Sequence, residues 1–271
     1  LWEGWVALLP AYMDADGLVK YLPSTPHGDP VLTSYILAIG REAGWILPQD
    51  LRRQATQGLK RFVDGSLVRY SPLPTADLAI RKLAALEALS RYGEVEPKLL
   101  GSIAIDPDRW PTSAVIDWVG ILLNIPTLPN RTERLAQAEQ VLRARLTYQG
   151  TVMAFSTESS DRLWWLMVSS DVNAVRLVLT ALRLDAWQAD MPRMVRGALA
   201  RQRAGRWDLT TANAWGVLAM ERFSQKFEAE PVTGTTRVNL AGQSRAIDWA
   251  ASPKGDVALL PWPAAKSELD A

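Results

Sequence analysis

The fold class is decided by the stretch Trp110-Pro-Thr-Ser-Ala-Val-Ile-Asp-Trp118 and its counterpart Trp207-Asp-Leu-Thr-Thr-Ala-Asn-Ala-Trp215. In each stretch an aromatic residue is followed by Ser or Thr and then by an apolar segment. Small hydroxyl side chains cap helix N-termini by accepting a backbone hydrogen bond, so each stretch predicts a loop followed by a helix. The equal spacing of the tryptophans indicates a repeated unit.

Looser copies of this unit recur along the chain. They are Tyr21 before Thr33, Tyr70 before Thr75, and Trp165 before Ser170. Together with Thr112 and Thr211, these predicted N-caps are 42, 37, 58 and 41 residues apart. Each interval is about the length of two helices with their connections, so the repeating unit is predicted to be a helical hairpin.

Apolar residues recur at helical spacing up to about Glu230, as in Val172, Val175 and Leu179. The predicted helices cover residues 2–13, 31–43, 51–63, 76–92, 112–123, 131–146, 171–184, 192–201 and 211–227. From Pro231 the pattern changes, because residues 232–240 alternate β-branched residues and a glycine-containing turn follows at 241–242. The sequence therefore predicts a helical domain over residues 1–230 and a short β segment with a tail over residues 231–271.

Repeated helical hairpins bury their apolar faces by stacking into an open solenoid or by closing into a ring. The charge distribution favours the ring. Asp117 is the only charge in residues 113–123, as expected for an inner helix buried on all sides, whereas residues 51–62 and 131–145 carry charges along one side. The fold class is predicted to be mainly α, an α/α toroid with a short C-terminal β segment. About five hairpins are present where a complete toroid often has six, and the sixth is expected before Leu1.

The composition excludes several classes of function. The 271 residues are 48% hydrophobic, which is enough for a large core, and the net charge of +1 gives no global attraction for nucleic acid. The chain has no cysteine and a single histidine, so disulfides, cysteine-ligated zinc and a Ser-His-Asp site are not expected. No cofactor or metal is predicted, and no segment reaches the roughly 18 apolar residues of a membrane span.

Tryptophan is the most unusual residue by number, with 12 in the chain. Six of them could line a groove that stacks on sugars or peptides: Trp110, Trp118, Trp164, Trp165, Trp207 and Trp215. Their spacing within the repeat favours a role in core and rim packing over ligand binding.

Paired carboxylates give an enzyme alternative, because α/α toroids also include glycoside hydrolases with an acid and a base across a cleft. The candidate pairs are Glu158 with Asp161 or Asp171, and Asp77 with Asp117. Aspartate and glutamate also serve at helix N-termini and on solvated surfaces, and this structural interpretation is favoured. No catalytic residue is predicted.

Two further features are weighed as sites. His27 lies in a loop rich in proline and glycine and is interpreted as a solvated loop residue rather than a general base. An arginine-rich stretch could hold phosphate or an acidic neighbour, but its roughly helical spacing favours an outer helix face or a domain contact. Its members are Arg193, Arg196, Arg201, Arg203 and Arg206.

Five segments of the sequence resemble parts of a known family. Residues 190–196 and 205–220 are similar to the last helical hairpin of the thioester domain in bacterial alpha-2-macroglobulin-like proteins. Residues 16–23 and 31–35 resemble that domain's aromatic-Pro loop and the helix after it, and residues 150–174 resemble the large proteobacterial branch of the family. The resemblance runs in order along the whole chain.

The resemblance implies a toroid cut from a large periplasmic protein that traps attacking proteases. The domain would be a packing and conformational module without catalytic turnover, and its partners would be target proteases, through the parent protein, and other domains of the same chain. Residues 231–271 would belong to an adjoining β-sandwich. Because the chain has no cysteine, the Cys-x-Glu-Gln thioester motif is expected before Leu1 or is missing from this branch. Membrane anchoring outside these residues and an envelope interaction scaffold stay open as alternatives.

Overall fold

The structure is a computed structural model that describes residues 2–156, 163–229, 231–240, 242–252 and 255–260. It forms two compact units, residues 1–222 and 223–271. The helices are α1 (Trp2–Leu8), α2 (Pro30–Glu42), α3 (Gln49–Asp64), α4 (Leu78–Ser90), α5 (Pro97–Leu100), α6 (Thr112–Asn124), α7 (Arg131–Ala144), α8 (Ser170–Ala181), α9 (Met191–Leu199) and α10 (Thr210–Phe227). Two antiparallel hairpins pair β1 (Leu146–Gln149) with β2 (Val152–Phe155) and β3 (Thr235–Leu240) with β4 (Gln243–Asp248). The predicted mainly α fold with a C-terminal β segment is confirmed.

Five helices of the first unit surround a common axis. Helices α2, α4, α6 and α8 pack on one another in this order. Together with α10 they line one small cavity, to which they contribute Tyr35, Glu87, Asp117, Arg176 and Trp215 respectively. Helix α6 is buried along nearly its whole length, as its lack of charge predicts. These are the inner helices of an α/α ring.

The remaining long helices of this unit form an outer layer. Helix α3 packs on α2 and α4, α7 packs on α6, and α9 packs on α8. Helix α3 shows the reason in its sequence, because Leu51, Leu59 and Phe62 are buried while Arg52 and Arg53 are exposed. One apolar stripe on an otherwise polar helix allows contact with the ring on one side only.

The loop between α1 and α2 is held by one aspartate. Asp14 Oδ1 accepts hydrogen bonds from the backbone N–H groups of Asp16 and Leu18, and Oδ2 accepts from Gly28 N–H and from Arg69 Nη2. At Gly28 a Cβ would lie 2.3 Å from the carbonyl oxygen of Leu18, so only glycine fits this close contact. The loop that precedes α2 is therefore an ordered part of the ring.

The prediction that hydroxyl residues cap the inner helices was wrong at most positions. Helix α2 begins at Pro30 and is capped by Asp29, whose side chain accepts from Leu32 N–H at 2.8 Å. Thr33 lies one turn inside the helix, where its hydroxyl donates to Asp29 O and accepts from Val19 N–H. A carboxylate directly before proline is the better start signal, because proline fixes a helical φ and needs no N–H partner.

The other predicted caps are also displaced. Helix α8 is capped by Ser169, one residue before the predicted Ser170. Thr75 lies in the loop before α4, and Thr112 and Thr211 are the first and second residues of their helices. In these cases the motif marked the place of the helix start but not the group that caps it.

Two β features were not predicted. The helix predicted over residues 131–146 ends at Ala144, and the β1–β2 hairpin follows with Leu146 opposite Phe155. Gly197 of α9 packs against this hairpin, because a Cβ there would lie 2.1 Å from Met153 O. In the second unit the predicted strand near Thr235 exists, and β4 is the partner strand that sequence reasoning missed.

Candidate functional site

A group of charged side chains, here called the axial cluster, lies where the inner helices meet. It consists of Glu42, Glu87, Arg91, Asp117 and Arg176. Arg176 Nη2 donates to Asp117 Oδ1 at 2.5 Å, and Arg91 bridges Glu87 Oε1 at 2.6 Å and Glu42 Oε2 at 2.7 Å. No side chain in the cluster is more than 18% exposed. Each arginine is therefore paired with at least one carboxylate inside the ring.

Trp215 of α10 completes the cluster from the closing side of the ring. The guanidinium carbons of Arg91 and Arg176 lie 5.4 Å and 5.5 Å from its ring centroid. Cations at this distance over an indole face are attracted by its quadrupole, and the attraction increases when water is excluded. Trp215 is 1% exposed, so α10 is joined to α4 and α8 through these contacts.

The electrostatics of the axial cluster are those of a structural ion pair. Burial raises the pKa of Asp117 to about 6, and the facing Arg176 acts in the opposite direction. Burial alone would lower the pKa of Arg176, but the neighbouring carboxylates, first Asp117, raise it above its ordinary value. Arg176 therefore stays charged, and each arginine of the cluster is offset by a bound carboxylate.

The structure assigns the predicted carboxylate pair Asp77 and Asp117 to different groups. Asp77 accepts hydrogen bonds from Arg81 Nε at 2.7 Å, from the Ser71 hydroxyl and from Trp165 Nε1 at 3.0 Å. Asp117 belongs to the axial cluster. Each of the two is bound to its own arginine, so their surroundings are those of structural carboxylates rather than of an acid and a base facing a substrate.

The second predicted pair is only partly described. Asp171 accepts from Arg201 Nε at 2.6 Å and from the backbone N–H of Asp208 at 3.0 Å. Glu158 and Asp161 lie outside the described residues. Among the described candidates, every carboxylate is thus bound to an arginine.

Most of the singled-out tryptophans pack in the core. Trp110 and Trp118 are buried with an edge-to-face contact at 6.2 Å between ring centroids, and Trp207 is buried with its ring N–H donating to Ala198 O at 2.8 Å. Trp165 is half-buried, whereas Trp164 is 74% exposed. The packing interpretation holds for these rings except Trp164.

His27 is exposed in its loop, as expected from the sequence. The arginine-rich stretch is not one helix face, because α9 ends at Leu199. Arg196 donates from α9 to Thr151 O, whereas Arg203 and Arg206 lie beyond the helix in a turn. The arginines are spaced like residues on one helix face, but the helix ends before the last three of them.

The turn formed by residues 203–206 borders a pocket with a volume of about 900 Å³, here called the rim pocket. It lies beside the first residues of α8 and α10, and its charged lining residues are Asp171, Arg201, Arg203, Arg206 and Asp208. Sequence reasoning identified these arginines but did not bring them together with the two aspartates. The missing signal was the end of α9, which turns the chain back toward α8.

A second concavity of about 420 Å³ is almost entirely apolar and lies between the N-terminal segment and α2. Leu9, Tyr12, Ile36 and Met167 are among its lining residues. In the described part of the chain no group of three acidic, histidine or cysteine side chains is arranged to hold a metal ion. None of the described helices combines the length and apolar character needed to cross a bilayer.

Comparison with known proteins finds one solved structure with a similar fold. The chain is similar to part of alpha-2-macroglobulin from E. coli in its native conformation, with a TM-score of 0.61 and 14% sequence identity. The similarity covers 90% of this chain, and the chain spans 15% of the length of that protein. The sequence matches no protein-family model and no curated protein sequence. The structural likeness establishes a shared fold.

Proposed function

We propose that this chain is the toroid module of a bacterial alpha-2-macroglobulin-like protein that traps proteases. The observation that carries the proposal is the structural similarity to E. coli alpha-2-macroglobulin over 90% of the chain. The order of resembling segments in the sequence supports it, since they run from residue 16 to residue 220 along the same fold. The proposed location of the parent protein is the periplasm, where it would meet foreign proteases.

In this proposal the module packs and changes conformation with its neighbours and does not turn over a substrate. The axial cluster supports this role, because Asp117 and Glu87 are each bound to an arginine at the ring axis. A glycoside hydrolase with the same architecture needs an acid and a base that face a substrate across a cleft. Paired charges instead fix the relative positions of the helices that carry them.

The apolar concavity near α2 supports contact with other domains of the parent chain. Trp45 and Tyr21 line it and are each about half exposed, and Leu8 is exposed beside them. Contiguous exposed apolar surface of this kind is typical of interaction sites. Its burial against a neighbouring domain would make the module part of a larger unit that rearranges when the parent is cleaved.

The trapping proposal is tested on the full-length parent protein incubated with trypsin or elastase. We expect cleavage of the parent at a bait segment and co-elution of the protease with it on gel filtration. The trapped protease should lose activity on a large protein substrate and keep activity on a small peptide substrate. Trypsin with its catalytic serine chemically blocked is the control, since it cannot cleave the bait and should elute alone.

A free protease that remains active on both substrates would contradict trapping. The carbohydrate-active alternative is tested separately with Glu158→Ala and Asp161→Ala variants in a glycan-turnover screen. Glycan cleavage by the unaltered chain that disappears in these variants would replace the present proposal by an enzyme. Fractionation of cells that express the parent tests the periplasmic location.

A further inference from the structure

Arg203 and Arg206 face each other across a tight turn. Arg203 N–H donates to Arg206 O at 2.9 Å, and Arg206 N–H donates to Arg203 O at 3.3 Å. The two turn residues, Ala204 and Gly205, have φ angles of 51° and 75°, and a type I′ turn requires positive φ at both positions. In such a hydrogen-bonded pair the two Cα atoms are about 5.5 Å apart and both side chains leave the same face. The turn therefore directs two arginine side chains to the same face.

This arrangement is unfavourable without a counter-charge. Like charges directly opposite each other in an antiparallel pair repel. Among the described residues neither Arg203 nor Arg206 has a carboxylate within ion-pair distance, and both are exposed. Ala204 also adopts a left-handed conformation that residues with a Cβ rarely take, so the local fold tolerates backbone strain to keep the turn.

The described carboxylates of the surrounding pocket have other partners. Asp171 is bound to Arg201 and to the backbone N–H of Asp208, and Asp208 accepts from the Ser169 hydroxyl at 2.8 Å. With three arginines and two aspartates, the charged lining residues of the rim pocket sum to +1. The start of α10 at the pocket wall adds the positive end of a helix dipole, which strengthens the field of the arginine pair.

We propose that the rim pocket binds an acidic peptide segment whose neighbouring carboxylates pair with Arg203 and Arg206. The pocket is open and both arginines are exposed, so each separate ion pair is weak. Two carboxylates on one chain pair with both arginines in a single association event, which favours a segment over a single small anion. The planar guanidinium fork matches a carboxylate with two parallel hydrogen bonds. This inference does not depend on the protease-trapping proposal.

The test measures binding of fluorescein-labelled hexaglutamate to the 271-residue chain by fluorescence anisotropy. At about 0.02 M ionic strength we expect saturable binding that weakens at about 0.3 M, where charges are screened within several ångströms. The Arg203→Gln/Arg206→Gln variant should bind about tenfold more weakly, as expected for loss of charge-assisted hydrogen bonds.

The second unit offers a matched control. Arg237 and Arg245 are exposed on the β3–β4 hairpin, but they lie in consecutive cross-strand pairs, opposite Ala246 and Val238. Their side chains therefore leave opposite faces of the hairpin. The Arg237→Gln/Arg245→Gln variant removes the same charge without removing an adjacent pair, and its affinity should stay within about twofold of the unaltered chain.

Several outcomes overturn the proposal. Equal weakening in both double variants would indicate attraction by net charge alone. Absence of hexaglutamate binding, or binding of labelled hexaglutamine with equal affinity, would exclude an acidic-segment site. Binding of tripolyphosphate without binding of hexaglutamate would indicate a small-anion site instead. If the glutamine variant does not fold, as judged by circular dichroism, Arg203→Lys/Arg206→Lys keeps the charges but not the fork, and unchanged affinity in it overturns the carboxylate pairing.

Discussion

Arginine has different roles at the axis and at the rim of the ring. At the axis, Arg91 and Arg176 are largely buried, and each binds a carboxylate at 2.7 Å or less. At the rim, Arg203 and Arg206 are exposed and have no carboxylate partner in the described residues. A buried guanidinium without a counter-charge costs several kcal/mol, whereas water solvates an exposed one at little cost. Burial thus decides which arginines serve the fold and which stay available for another molecule.

The largest expected effect comes from breaking the axial pair. Arg176→Met leaves Asp117 buried without its counter-charge, and we expect the free energy of unfolding to fall by about 3–5 kcal/mol. Urea denaturation at neutral pH measures this loss. The matched control is Arg53→Met, which removes an exposed arginine paired with exposed Asp50 and should change stability by about 0.5 kcal/mol or less.

A second substitution distinguishes the ion pair from simple packing. Asp117→Asn added to Arg176→Met removes the unpaired carboxylate, so most of the lost stability should return. The single variant should also become more stable as the pH falls from about 7 to 5. In it the pKa of Asp117, already raised to about 6 by burial, rises further without Arg176, and protonation removes the buried charge. A single variant as stable as Arg53→Met would show that the axis is open to water.

The ion pair between Asp14 and Arg69 tests whether a charged side chain needs a partner because it is buried or because it lies in a helix. Asp14 and Arg69 lie in loops, yet their side chains are only 2% and 11% exposed. Burial acts to raise the pKa of Asp14, but the hydrogen bonds from Gly28, Leu18 and Arg69 outweigh it and lower that pKa below 3.8. Asp14→Asn should therefore reduce the free energy of unfolding by about 2 kcal/mol at neutral pH, as measured by urea denaturation.

The pH dependence of this loss has a defined sign. The pKa of Asp14 is lower in the folded than in the unfolded chain, so its contribution to stability is complete above the unfolded value of 3.8 and is lost as the pH falls through the folded value. The difference between the unaltered chain and Asp14→Asn should shrink between pH 5 and about pH 2. A difference that is independent of pH would assign the effect of Asp14 to loop geometry rather than to charge.

Helix α6 was predictable because its composition reflects burial on all sides. Helix α6 was predicted over residues 112–123 and is observed over Thr112–Asn124, with Asp117 as its only charge. The partner of Asp117 was not predictable, because Arg176 lies 59 residues away and reaches it only when α8 packs on α6. Composition identifies a helix that is buried on all sides, and only the packing of the helices shows which charged side chains meet.

The rim was predicted less well because local signals compete there. Thr33 resembles a cap, but Asp29 precedes Pro30 and takes that role. Arg203 and Arg206 resemble members of a helix face, but α9 has ended before them. A turn with left-handed Ala204 has no strong sequence signature, since alanine is not a usual residue at that position.

Trp207 separates the rim pocket from the core, and its contact with α10 can be tested by adding one methyl group. A Cβ at Gly216 would lie 2.3 Å from Cζ3 of Trp207, so Gly216→Ala should destabilise the chain by about 1–2 kcal/mol. Gly40 in α2 is the matched control, because a Cβ there would meet Leu47 at an ordinary 3.6 Å. Gly40→Ala should stabilise the chain by up to about 1 kcal/mol through helix propensity. The thermal unfolding temperatures of both variants show whether Trp207 packs on α10 as tightly as the distances indicate.

The smallest expected effect concerns the rim arginines themselves. Because Arg203 and Arg206 repel each other and have no carboxylate partner among the described residues, Arg203→Gln/Arg206→Gln should leave the free energy of unfolding unchanged or raise it by about 0.5 kcal/mol. Chemical denaturation measures this at low salt, where repulsion is strongest, and the gain should vanish at high salt. If the free energy of unfolding falls by 1 kcal/mol or more, the arginine pair stabilises the turn. The arginines at the rim and at the axis would then differ only in how much they stabilise the fold. An increase would show that these two arginines lower the stability of the chain slightly, as expected of residues that serve binding rather than folding, and no change would show that they contribute nothing to folding.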